Sequence, residues 1–231
     1  MKRVLILAAH LDDSVLAMGG SIRKLVKFGA QVSVFCFGNG DEAYTQPGGS
    51  PAAVRRFKEG AEKAHAMLGV HSLECFDIGD FEVTANAELY RQCIAAIRKH
   101  RPDIIFGHWP AEYFQHHQMA QMSIDAWNQA RWNCSADFGA QPWTAQKYFH
   151  FELNDLLPQP THLVDVSAEF EDKMQAAAAY DAEGGHLDDW QDEMRARARY
   201  YGSRIQVEYA EAFKQSAYLP TKIKEAEDFF N

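Results

Sequence analysis

The chain lacks most of what would send it to a membrane, a nucleic acid or an oxidising compartment. No apolar run reaches the ~20 residues that a bilayer-spanning helix needs. There is no basic excess either: 23 Lys and Arg stand against 32 Asp and Glu, a formal net charge of −9. That balance excludes a phosphate-rich polymer as partner, since nucleic-acid binders carry basic patches. Cysteine is scarce, at Cys36, Cys75, Cys93 and Cys134, with no C-x-x-C pairing. Two of the four fall in apparent strands and one in a helical pattern, so they read as buried free thiols in a reducing compartment. No G-x-G-x-x-G follows a strand, which leaves a dinucleotide site unsupported. Gly19-Gly20-Ser21 and Gly49-Ser50-Pro51 do not make a G-x-S-x-G nucleophile elbow. The first strand begins straight after Lys2 and Arg3, leaving no room for a signal peptide, so a cytoplasmic protein is expected. No repeat, low-complexity stretch or linker interrupts the sequence, which predicts a single domain over 1–231.

What is present is organised around Val4-Leu-Ile-Leu-Ala-Ala-His10-Leu-Asp12-Asp13-Ser14. An apolar run without alternation reads as a strand buried on both faces of a parallel sheet. It ends in a histidine and two adjacent carboxylates, where open α/β sheets keep their ligands. Leu16 to Phe28 then has helical spacing and stops at Gly29, and Gln31 to Phe37 is a second strand, completing a right-handed crossover unit. Gly38 to Ser50 is a long loop of turn formers. Pro51 to Leu68 is predicted as a helix with Ser50 as N-cap and Pro51 at its first position. Strands follow at His71 to Phe76 and Asp103 to Gly107, with a helix from Ala87 to Lys99 between them. Beyond the second of these strands a helix is expected from about His117 to Asn128. Further strands are read at Lys147 to Leu153 and His162 to Val166, helices at Glu169 to Tyr180 and Asp188 to Tyr201, and a polar, mostly helical tail.

Two groups of residues carry chemistry. Zinc accepts imidazole nitrogen and carboxylate oxygen, and a catalytic site has three protein ligands plus an open position for water. A strand end followed by a tight turn could aim His10 and Asp13 at one point, leaving Asp12 as a base. The competing reading is that these carboxylates cap the following helix. The second group is His108-Trp-Pro-Ala-Glu112-Tyr-Phe114-Gln-His116-His117. It lies at the end of another strand and could face the first across the sheet, with His117 as third ligand or, alternatively, with the histidines as surface loop residues.

These residues resemble the signatures of the PIG-L/LmbE-like deacetylases, zinc-dependent enzymes that remove acyl groups from amino sugars. His10-Leu-Asp12-Asp13-Ser14 is similar to A-H-P-D-D-E, and the segment from His108 to His117 to H-x-P-x-D-x-H-P-D-H. Arg56-Phe-Lys-Glu59 with Leu68-Gly69-Val70 resembles the family's R-x-x-E…L-G-V helix. Asp165-Val-Ser167, Lys173 and Tyr180-Asp-Ala-Glu183 resemble D-I-S…K…Y-x-S-Q, and Ala210-Glu-Ala-Phe213 resembles A-E-A-F. The resemblance runs through nearly the whole chain in order. It implies a Rossmann-like three-layer α/β sandwich with a mainly parallel sheet. It also implies a metal held by His10, Asp13 and His117, Asp12 as general base, and Arg56 (or Arg55) as substrate contact. Zinc is the implied metal, and iron, cobalt or nickel tolerate the same donor set.

Three positions depart from the pattern. Leu11 replaces a proline, Ser14 a glutamate, and Phe114 aligns with the first histidine of H-P-D-H, which in the family stabilises the oxyanion or protonates the leaving amine. His116, beside His117, is the expected substitute for that histidine. The expected activity is hydrolysis of an N-acyl group, N-acetyl in the first instance, from an amino sugar or related small molecule. The alternatives are a metal-binding relative without deacetylase activity, an amide or ester hydrolase on a non-sugar substrate, and a small-ligand module with incidental histidines. Specificity is expected from the loop Gly38 to Ser50 and from Trp132 to Trp143. An aromatic content of 13% leaves room for a homo-oligomer interface without requiring one.

Overall fold

The computed structural model describes residues 1–43, 51–134, 136–138, 141–181 and 190–220. β1 (Arg3–Ala8) is the centre of the sheet, and its sequence explains why. Val4, Ile6 and Ala8 point into one apolar cluster and Leu5, Leu7 and Ala9 into another. Leu5, Ile6 and Leu7 are fully buried, which stabilises the fold by about 1.5–3 kcal/mol each. A strand used on both faces cannot alternate polar with apolar, so the unbroken run is the signature of its central place.

The elements that follow are α1 (Asp13–Lys27), β2 (Gln31–Gly38), α2 (Pro51–Leu68), β3 (Ser72–Ile78), α3 (Ala87–His100), β4 (Ile104–His108) and α4 (Phe114–Ala130). β5 (Lys147–Phe151), β6 (His162–Asp165), α5 (Phe170–Asp181), α6 (Trp190–Arg204) and β7 (Ala210–Gln215) complete the described chain. The sheet order is β3-β2-β1-β4-β5-β7-β6. The first five of these strands are parallel and β7 runs antiparallel to both neighbours. Helices α1, α2, α5 and α6 supply the cluster on one face, α3 and α4 that on the other. The result is the three-layer α/β sandwich with a mainly parallel sheet that the sequence predicts.

The chain runs outward from β1 through β2 to β3, then returns to place β4 on the other side of β1. The crevice outside the carboxyl ends of β1 and β4 is therefore the topological switch point, where such sheets bind ligands. Gly29 and Gly69, with φ of 91° and 82°, end α1 and α2 in the left-handed conformation that favours glycine. The pair Gly19-Gly20 has a packing reason. A Cβ on Gly20 would lie 2.8 Å from Val166 Cβ, so the glycine lets the chain after β6 close on α1.

Four expectations are corrected. α4 begins at Phe114, three residues before its predicted start. The segment Ala210–Gln215, expected in a mostly helical tail, is a strand; the tail from 221, like Ser50, lies outside the described residues. Of the four cysteines, Cys36 and Cys93 are buried, whereas Cys75 and Cys134 are exposed. Lastly, Trp143, at the end of the segment expected to set specificity, donates to Pro102 O beside the start of β4, at the amino end of the sheet and away from the crevice. No helix among the described residues is long and apolar enough to cross a membrane.

Candidate metal centre

His10 and Asp13 are delivered by the turn between β1 and α1. The His10 N–H donates to Asp13 Oδ2 at 2.7 Å, closing the turn, and the Tyr180 hydroxyl of α5 holds it by donating to Leu11 O at 2.9 Å. The side chains then converge on the first turn of α4. His10 Nδ1, Asp13 Oδ1 and His116 Nε2 form a triangle with edges of 3.5, 3.2 and 3.2 Å. Donor atoms sharing a tetrahedral metal at 2.0–2.1 Å are about 3.3–3.4 Å apart. Two imidazole nitrogens and a carboxylate oxygen at that spacing fit a divalent transition metal in both chemistry and size, and they form one of the groups able to hold an ion.

Surrounding residues orient the three. The other oxygen of Asp13 is 2.9 Å from His108 Nε2, and the other nitrogen of His116 is 2.6 Å from Glu112 Oε2. A carboxylate behind a metal-ligating histidine fixes its tautomer and raises its basicity. Glu112 in turn accepts from the N–H groups of Leu153 and Asn154, at 2.5 and 3.1 Å, tying the end of β5 to the site. The electrostatics follow from this crowding. Burial would push the Asp13 carboxyl up, but His116, His108 and His10 together hold it well below the usual range. Burial would lower His116, and Asp13 and Glu112 on either side raise it to about 9 instead. Glu112, despite its burial, is held at about 2 by His108 and His116.

The structure places the two adjacent histidines otherwise than expected. His117, expected as a ligand, is exposed, with Nδ1 2.6 Å from Pro110 O, while His116, expected as a donor, stands at the third corner. Successive residues on a helix point about 100° apart, so only one of them can face β1. Phe114, expected at the family's histidine, is 56% exposed, and the residue three before His116 is Tyr113. Its hydroxyl lies 3.3 Å from His10 Nδ1, and its ring stacks on His10 with the planes 3° apart.

Asp12 occupies the N-cap position of α1, but its side chain makes no cap hydrogen bond. It is 9% exposed and lines the cleft with the triad. The capping explanation for this carboxylate therefore fails. Arg56 is exposed on α2 and outside the cleft lining, where its neighbour Phe57 takes part instead. Sequence reasoning missed Glu112 and Tyr113. The spacing Glu112-x-x-x-His116, one helical turn, was the available signal for the first; a lone tyrosine offered none for the second.

The cleft holds about 320 Å³ and extends from the triad past Glu42 and Asp80 to Glu152, Trp190 and Glu193. Its lining is acidic. Among its described lining residues the lysine and the arginine, Lys173 and Arg197, are each paired with a carboxylate, Glu211 and Glu193.

Comparison with known proteins finds relatives along nearly the whole chain. The chain is 28% identical over 226 residues to the diacetylchitobiose deacetylase of Thermococcus kodakarensis, covering 93% of this chain and 83% of that protein. Among solved structures, the N,N′-diacetylchitobiose deacetylase of Pyrococcus horikoshii superposes with a TM-score of 0.85 at 23% identity, over 96% of this chain and 88% of the other. The 4-carboxy-2-hydroxymuconate hydratase of Pseudomonas putida gives 0.79 at 22%, over 97% and 99%, which shows the fold alone. The model of the PIG-L family, described as GlcNAc-PI de-N-acetylase, matches residues 5–127, more than half of the chain and a span that includes His10, Asp13 and His116. With most of β1, the first turn of α1 and the first turn of α4 inside that match, the chain belongs to the PIG-L family.

Proposed function

We propose that this chain is a metal-dependent hydrolase that removes an N-acetyl group from an uncharged amino sugar, with His10, Asp13 and His116 as ligands and zinc as the metal. The observation that carries the reading is the triangle of three convergent donor atoms, with the Asp12 carboxylate lining the same cleft at the switch point of the sheet. His10, Asp13 and His116 would hold a divalent metal whose chemistry is to polarise the acyl carbonyl and to make water acidic at about pH 7. Asp12 takes the proton from the attacking water and returns it to the amine as the C–N bond breaks. The Tyr113 hydroxyl, 3.3 Å from His10 Nδ1, would donate to the acyl oxygen as negative charge develops on it. It takes the part expected of His116, and the place of the histidine that the sequence puts at Phe114.

The acidic lining separates the substrates named for relatives. A carboxylated muconate or a phosphoinositide-linked sugar would bring like charge against Glu42, Asp80, Glu152 and Glu193. A neutral acetylated amino sugar, leaving as a cationic amine, suits the same wall. The test is release of primary amine and acetate from N-acetylglucosamine and N,N′-diacetylchitobiose. Equimolar release that a chelator stops and zinc restores is expected. Absence of amine from every N-acyl sugar offered to the zinc-loaded protein would end the hydrolase reading.

A further inference from the structure

Away from the cleft, two cysteines stand side by side across the edge of the sheet. Cys36 on β2 and Cys75 on β3 are register partners. Residues paired across parallel strands lie about 4.8 Å apart at Cα, inside the roughly 4.4–6.8 Å window of disulfides. Side chains at paired positions of parallel strands project from the same face. Both sulfurs accordingly lie 3.3 Å from one carbonyl oxygen, that of Gly38. The ladder shifts register between Cys36 and Gly38, and β3 is the terminal strand of the sheet. The bond therefore needs movement only where the sheet is least constrained.

The two thiols have unequal surroundings. Cys36 is fully buried, with Sγ 3.4 Å from Ala9 O, and burial keeps its proton on. Cys75 is exposed. The Asp77 N–H donates to its sulfur at 3.3 Å, and Lys58 of α2, itself paired with Asp77, adds positive charge nearby. Its neighbour Cys36 is the largest influence, and with Asp77 N–H and Lys58 it brings the Cys75 thiol down to about 7 against the pull of burial. An accessible thiolate with a protonated thiol alongside is an attacking and a resolving pair.

We propose that Cys75 and Cys36 form a peroxide-reactive dithiol that closes reversibly to a disulfide between β3 and β2. The Cys75 thiolate attacks one oxygen of hydrogen peroxide. An S–O bond forms, the O–O bond breaks, and the departing hydroxide leaves as water after taking a proton. The sulfur of Cys36 then attacks that of Cys75, forming the S–S bond and breaking the S–O bond. The second hydroxide leaves with the Cys36 proton as water. Two thiols and one peroxide give one disulfide and two waters. A cross-strand bond between neighbouring strands is strained and lies at an accessible edge, the class of disulfide that cellular thiols reopen. None of this depends on the deacetylase reading.

The experiment treats the intact protein with one equivalent of hydrogen peroxide, blocks the remaining thiols with N-ethylmaleimide and digests it for mass spectrometry. The expected product joins the peptides of Cys36 and Cys75 within one chain, two hydrogens lighter than their sum, and separates with dithiothreitol. In the Cys36→Ser variant Cys75 should stop at the sulfenic acid, trapped by dimedone. Before oxidation, iodoacetamide at pH 7.5 should label Cys75 roughly fivefold faster than the other exposed thiol, Cys134. Wild-type Cys75 running on to sulfinic acid without the Cys36 link, or pairing only between chains, would overturn the proposal.

Discussion

Two buried charge clusters flank α1, and they are finished to different degrees. At its middle, Glu211 of β7 accepts from Gly20 N and Ser21 N, at 3.1 and 2.7 Å, and from Lys173 Nζ at 2.7 Å. Lys173 donates in turn to Ala17 O at 3.3 Å. Every charge there has its complement, and the cluster fastens α5 and β7 to α1. At the start of the helix, Asp13 Oδ2 is equally well served, but Oδ1 faces two ring nitrogens that crowd each other at 3.2 Å. Groups that converge without completing one another are arranged for something outside the chain. The comparison separates buried charge that builds the fold from buried charge that awaits a ligand.

The sharpest way to break that comparison is through the two aspartates that follow β1. Asp12→Asn should keep the metal and lose turnover by about 10²–10⁴-fold, the range of a general base. Asp13→Ala should lose the metal itself. Elemental analysis beside an amine-release assay reads both, and loss of metal from Asp12→Asn would move that residue into the ligand set. Lys173→Met tests the finished cluster. Stranding Glu211 as a buried, unpaired charge should cost about 3–5 kcal/mol, seen in a chain of this size as a melting temperature lower by about 10 °C. The double variant Lys173→Met with Glu211→Leu should recover most of that loss, because removing both partners of a buried pair is close to neutral.

Tyr113 tests whether the unfinished cluster includes its own donor. Tyr113→Phe should lower kcat by about 10²–10³, or about 2.7–4 kcal/mol, with metal content unchanged and Tyr113→His restoring part of the rate. A comparable kcat in Tyr113→Phe would remove the phenol from the mechanism. His65 tests the pH limit of the scaffold beneath the site. Its Nε2 is 2.8 Å from Ser14 Oγ and its Nδ1 2.7 Å from Ala61 O. Burial lowers it from 6.5 to about 4. Between those values the unfolded chain binds the proton and the folded chain does not, so this residue's contribution falls as pH drops from 6.5 to 4. The full loss is about 3 kcal/mol. Urea midpoints at pH 7 and pH 4.5 should differ less in His65→Gln than in the wild type.

How much of this the sequence disclosed depended on whether local signals agreed with tertiary demand. β1, α2 with Pro51 first and Gly69 after it, and the alternation of strands with helices were legible because pattern, caps and burial point the same way. β7 was not. Ala210-Glu-Ala-Phe-Lys-Gln215 has the composition of a helix former, and it is a strand because of what it meets. Ala210 and Ala212 pack with Leu157 and Tyr201, Phe213 enters the larger core, and Glu211 reaches Lys173. The turn after β1 brings His10 and Asp13 together as expected, because a strand end fixes where they point, although α1 begins at Asp13, three residues before the expected Leu16.

The start of α4 lies three residues before its expected place, and the reason is geometric. Pro110 and the aromatic pair Tyr113-Phe114 carry no capping residue, and Tyr113 at the N-cap makes no side-chain cap bond. Without such a mark the start of the helix, and with it the phase of every side chain in its first turn, is invisible in one sequence. His116 and His117 are chemically identical, so only the phase distinguishes a ligand from a surface residue. His116→Ala should abolish metal binding and activity together. His117→Ala, which removes an exposed ring and one contact to a backbone carbonyl, should leave kcat within about twofold, the effect of an ordinary surface change. If His117→Ala instead released the metal while His116→Ala kept it, α4 would start a residue later than described and the triangle of donor atoms would have to be redrawn.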